Sequence, residues 1–63
     1  MSVADLLNAR TSLRSAEGQI DRARLNAPPA LRAALTERLA EIHRLEVAIT
    51  RDIYDAQHLD VRS

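Results

Sequence analysis

Asn26-Ala27-Pro28-Pro29 divides this chain in two. A residue that precedes proline is pushed out of the α region. Here Ala27 precedes Pro28 and Pro28 precedes Pro29. A helix arriving from the N-terminal side therefore has to stop near Leu25. Asn26 can take the left-handed conformation that ends many helices. Pro29 suits the first position of a second helix, where its missing N–H is no loss. A link of two or three residues then brings the second helix back antiparallel to the first.

Working outward, Ser2 followed by Asp5 resembles a capping box, with Asp in place of the usual Glu or Gln. Helix 1 is expected over residues 3–25. Gly18 is its one weak interior point, costing about 1 kcal/mol relative to Ala. Helix 2 is expected from Pro29 to about His58 (29–58), and Leu59–Ser63 carries no stop signal. The fold class is all-α: a two-helix antiparallel hairpin forming a single domain over residues 1–63, poised to pack into a helical bundle with other chains.

Periodicity supports the hairpin. In helix 1, Leu6, Leu13 and Ile20 recur every seven residues, and Ala9, Ala16 and Ala23 do so three residues later. In helix 2, Leu35, Ile42 and Ile49 recur every seven, with Leu31, Leu39, Leu45, Ile53 and Ala56 widening that stripe. These are heptads, the spacing that keeps one helix face against another. Level residues in an antiparallel pair have a constant sum. Ile20 with Leu35, Leu13 with Ile42 and Leu6 with Ile49 share one sum, the sum demanded by a turn near residues 27–28. Heptads and prolines thus agree on one alignment. In that alignment Val3 lies beside Asp52, and Tyr54, Ala56, Leu59 and Val61 overhang.

Helix 2 also carries a weaker stripe: Ala33, Ala40, Val47, Tyr54 and Val61 repeat every seven, with Thr36, His43 and Thr50 on the same side. One surface helix needs only one apolar stripe. A second stripe predicts a second packing partner, at an interface built from Ala40, His43, Val47, Tyr54, Leu59 and Val61. A short chain with little core gives the same expectation.

Composition excludes more than it selects. There is no cysteine, so disulfides and thiolate metal sites are out. Nine basic residues balance nine acids, and neither half is a charged tail. No long-range field draws in nucleic acid. The start, Met1–Asp5, has no secretory signal pattern and no stretch is apolar enough to span a membrane, so a cytoplasmic location, or one inside a large intracellular or virion assembly, is expected.

The chemical motifs are thin. Asp55 and His58 stand one turn apart, the carboxylate–histidine spacing of di-iron bundles, but such sites need two of these motifs. A solvated helix end, with His58 near the negative end of the dipole, is the better account. His43 lies 15 residues from His58, about 22 Å along the helix, so the two cannot share a metal within one chain. His43 belongs at an interface rather than in a chemical role. Glu46 and Arg38 fall on or beside the core stripe, where long stems can snorkel to water. Arg14 with Glu17, Asp21 with Arg24, Arg38 with Glu41 and Glu41 with Arg44 are spaced as surface pairs. Arg10, Arg14 and Arg24 share one side of helix 1, but Glu17 and Asp21 stand among them. No nucleophile–base constellation is present, and no enzyme activity, cofactor or metal is expected.

The layout resembles the small plasmid RNA-binding regulators of the Rop type across the whole chain, in length, hairpin form and Ala/Leu layering. That resemblance implies dimerisation into a four-helix bundle. It carries over no functional residue, because the basic and aromatic RNA-contacting face has no counterpart here. The leading expectation is a structural or adaptor protein working by helix–helix contact, as a homo-oligomer (dimer or tetramer) or as a small accessory subunit of a larger bacterial or phage assembly. A Rop-like nucleic-acid regulator is the alternative, and an antitoxin or inhibitor peptide that folds on its target is the third.

Overall fold

The computed structural model describes the backbone of residues 2–62 and the side chains of residues 2–59. Two helices, α1 (Val3–Leu25) and α2 (Pro29–Arg62), pack as a hairpin. The molecule is a rod of 52 × 15 × 13 Å. Its long axis is that of α2, whose 34 residues span about 51 Å at 1.5 Å each. Among the described residues no helix is long and apolar enough to cross a membrane.

α1 begins where the cap predicts. Ser2 sits in extended backbone and its Oγ accepts the Asp5 N–H at 3.1 Å. The turn differs in one detail. Asn26 has φ −109°, not the left-handed conformation, and no described residue, glycine included, has positive φ. α1 instead tightens at its end: the Asn26 N–H donates to the Ala23 carbonyl and the Ala27 N–H to the Arg24 carbonyl. Those two bonds satisfy two of the terminal carbonyls without a left-handed residue. Pro29 takes the first position of α2, and the Arg32 N–H closes the first turn on the Pro28 carbonyl at 2.8 Å. The Arg32 guanidinium also donates to the Ala27 carbonyl at 3.1 Å. α2 runs to Arg62 rather than stopping near His58, because no glycine or proline follows to break it.

The seam is a heptad in both helices. On α2 every non-exposed residue among the described side chains falls in one series: Leu35, Leu39, Ile42, Glu46, Ile49, Ile53, Ala56. The steps alternate four and three, as a coiled-coil seam requires. On α1 the matching series is Val3, Leu6, Arg10, Leu13, Glu17, Ile20, Arg24. The Leu6–Leu13–Ile20 line is as expected. Its companion is not the alanine line but Val3, Arg10, Glu17 and Arg24. Ala9 and Ala16 are half-buried on the flank and Ala23 is exposed.

The hairpin therefore has two unlike sides. Arg10, Glu17 and Arg24 recur every seven residues on α1, and Thr36, His43 and Thr50 do so on α2. Arg10 donates to Thr50 Oγ1 at 3.3 Å and Arg24 to Thr36 Oγ1 at 3.2 Å. Each arginine reaches a residue nearer the open end than its level partner. In an antiparallel pair that offset follows from side chains leaning toward their own N-termini. The same lean carries α1 side chains out over α2, so Ala56, expected to overhang, is half-buried and Ile53 is only 5% exposed.

At 100° per residue, Ala9, Ala16 and Ala23 of α1 and Leu31, Leu45 and Leu59 of α2 fall on the other side of the seam. Leu31 and Leu45, expected to widen the core, remain 51% and 50% exposed, and Leu59 63%. The enclosed core is small. Ala27 at 8% and Ile53 are its only buried hydrophobic residues among the described side chains.

Ile53→Ala is expected to cost about 2–4 kcal/mol by urea denaturation, within the range for a buried aliphatic truncation. Gly18→Ala should stabilise by about 0.5–1 kcal/mol. A Cβ added at Gly18 meets nothing within 4 Å.

Candidate functional site

Among the described residues, Glu17, His43 and Glu46 form a cluster of potential ligands in the middle of the polar side. Glu17 comes from the α1 seam, Glu46 from the α2 seam, and His43 lies one turn before Glu46 on the same face. Heptad packing delivers Glu17 and Glu46 to the interface whether or not their chemistry suits it. Glu46 is 9% exposed, the one buried charged residue among the described side chains, and Glu17 is half-buried.

The partners are incomplete. Arg14 Nε stands 3.5 Å from Glu46 Oε1, and His43 Nδ1 stands 3.9 Å from Glu46 Oε2. Both are ion-pair distances beyond good hydrogen bonds. Glu17 Oε2 and Glu46 Oε1 are buried with no hydrogen-bond partner. Two carboxylates cannot donate to each other, so a hydrogen bond between them needs one proton. That bond to Glu46 raises the Glu17 pKa above the ordinary carboxyl value, assisted by desolvation and by the Glu46 charge; His43 and Arg14 oppose the shift. A raised folded pKa means the folded chain holds this proton more tightly than the unfolded chain. The associated stability is present in acid and is lost as pH rises past the carboxyl range.

Open grooves flank the cluster. One is lined by Glu17, Gly18, Asp21, Leu39, Ala40 and His43, and the other by Arg14, Glu17, His43, Glu46, Val47 and Thr50. Of the expected interface residues, Ala40, His43 and Val47 thus rim this cluster, all exposed. Tyr54 and Leu59 are also exposed and line a separate hollow with Asp55 and His58. The Val61 side chain lies outside the described residues. His58 stacks on Tyr54, ring centroids 3.8 Å apart, and its Nδ1 donates to the Tyr54 carbonyl at 2.9 Å.

Arg38, paired in expectation with the core stripe, is exposed and donates to Glu41 at 3.0 Å. Arg14 meets Glu46 across the seam instead of Glu17 along its own helix. Arg24 holds Asp21 as spaced. Glu17 is the residue that sequence spacing missed. Its signal was the Val3–Arg10–Glu17–Arg24 line, which completes the heptad as well as the alanine line does but was hidden by its polarity.

Glu17→Gln keeps the shape and removes one of two facing negative charges. It is expected to raise the urea midpoint at pH 7, and a lowered midpoint would show that the Arg14 and His43 attractions outweigh the repulsion. No protein-family model, curated protein or solved structure matches the chain.

Proposed function

We propose that this chain is a non-enzymatic helical building block that works through helix–helix association, with a second copy of itself as partner. The observation that carries this reading is the apolar flank. Leu31, Leu45 and Leu59 stand at least half exposed beside the Ala9–Ala16–Ala23 line, with exposed Arg38 and Asp52 at the intervening heptad positions, in a hairpin with little enclosed core. A two-fold interface has to be self-complementary. A flank with leucines on one helix and alanines on the other meets that need, because the two-fold sets large residues on small ones. Covering it would supply the apolar burial that a chain of this length lacks alone.

The expected Val47–Tyr54 stripe remains a second exposed surface, at 57% and 58%. It lies next to the polar grooves rather than on the leucine flank. The three arginines that share one side of α1 do not favour the nucleic-acid alternative. Arg10, Arg14 and Arg24 are engaged with Thr50, Glu46 and Asp21, and acids stand between them. A phosphate-binding strip has the opposite arrangement.

Light scattering across a concentration series tests the proposal. The wild-type chain should give a dimer or tetramer. Leu31→Glu with Leu45→Glu should weaken self-association by at least about tenfold while leaving the helical circular dichroism of the hairpin in place. If Val47→Glu with Tyr54→Glu dissociates the assembly instead, the contact belongs to the other side. A wild-type chain that stays monomeric throughout the micromolar range rules out self-assembly and favours docking on a larger host.

A further inference from the structure

We propose that Glu17, His43 and Glu46 form a binding site for a divalent transition-metal ion, zinc fitting best, which staples α1 to α2. One ligand atom from each residue can be chosen so that all lie within 4.8 Å of one another. Bonds of about 2.0–2.2 Å to nitrogen and oxygen place tetrahedral zinc ligands about 3.3–3.6 Å apart. The remaining gap is about an ångström, on the scale of side-chain rotations. An imidazole with two carboxylates is a zinc-type donor set, too nitrogenous for magnesium or calcium.

The second observation is independent of that clustering. Glu46 is about nine-tenths buried, and its Oε1 has no hydrogen-bond donor; the buried Oε2 of Glu17 has none either. Buried carboxylate oxygens without partners cost free energy. They belong to two carboxylates that each bring an oxygen within 4.8 Å of the other across one seam, beside an imidazole on the groove wall. A cation between them satisfies both oxygens and cancels the repulsion in a single step. The grooves on either side leave a fourth position open to water. Arg14 is the one opposing charge, 3.5 Å from Glu46 Oε1, and its mostly exposed side chain can swing into solvent.

The physical gain is the one a short chain needs. With no cysteine, a disulfide is unavailable as a cross-link, and a metal is the other common staple for a domain this small. The Asp55–His58 spacing plays no part, because His58 is turned onto Tyr54 and its carbonyl.

Titration of the chelator-treated full chain with zinc chloride, read by calorimetry and by thermal melting, decides the matter. One zinc per chain and a raised melting temperature are expected, with no matching effect from magnesium. Glu17→Gln and His43→Gln should each weaken zinc binding by at least about tenfold. Glu17→Gln should remain folded and yet gain nothing in melting temperature from zinc. Arg14→Gln should bind zinc more tightly than the wild type, since it removes the competing cation. His58→Gln should bind as the wild type does. Absence of binding overturns the proposal. So does zinc stabilisation that survives both Glu17→Gln and His43→Gln, or that disappears with His58→Gln. Light scattering of the zinc-loaded chain separates this staple from self-association: binding at one per chain without a change of mass keeps the site even if the dimer fails.

Discussion

Two helices share one seam, and everything this chain can bury without a partner must go into it. Seven positions from each helix line that contact. On one edge the seam is filled by Leu6, Leu13 and Ile20 against Leu35, Ile42 and Ile49. On the other, α1 contributes Arg10, Glu17 and Arg24. With Glu46 from α2, four of the fourteen seam positions are therefore polar, and there hydrogen bonds and ion pairs have to make up for absent apolar area. Net gains of about 0.5–1.5 kcal/mol per hydrogen bond make this a weak substitute. The exposed leucine flank and the unsatisfied carboxylates are two results of the same shortage.

The polar edge is ordered rather than random. Its outer rungs join an arginine to a threonine, Arg10 to Thr50 and Arg24 to Thr36. Each pairs a flexible cationic head with a neutral hydroxyl near water, which is undemanding. The central rung brings together two acids, a histidine and Arg14, and there the balance is not closed. Buried polar positions in coiled coils often select a register at some expense in stability. Here a slip by one heptad would move Glu46 from Glu17 to Arg10 or Arg24, so the acidic rung does not enforce the register, which the short proline turn fixes instead.

Much of the fold was legible from residue order. The proline turn, the antiparallel topology, both α1 boundaries and the leucine line follow from rules about local backbone and heptad spacing. The far end of α2 is less legible, because without a glycine or proline no residue marks where the helix stops, and it continues to Arg62. The candidate site was far less legible. Leu6, Leu13 and Ile20 fix one edge of the α1 seam, but residues three or four further on can supply the other. Hydrophobicity favoured Ala9 and Ala16 over Arg10 and Glu17. The geometry of the pair chose the polar set because long stems reach across a seam while alanines sit beside it. Likewise Arg38 and Glu46 looked equivalent along the sequence, and only the crossing of the helices separates an exposed arginine from a buried glutamate.

The three-residue link has a kinetic side as well. Closing a short loop costs little chain entropy, and that cost grows only slowly with loop length. Arg24 and Thr36 are 12 residues apart in sequence, whereas Arg10 and Thr50 are 40 apart. Each contact formed near the turn shortens the effective loop for the next. The hairpin can thus close like a zipper from the prolines outward, passing the acidic rung midway. Topologies dominated by such graded contacts fold fast. The end farthest from the turn, where Ile53 is most buried, is then the last to close and the first to open.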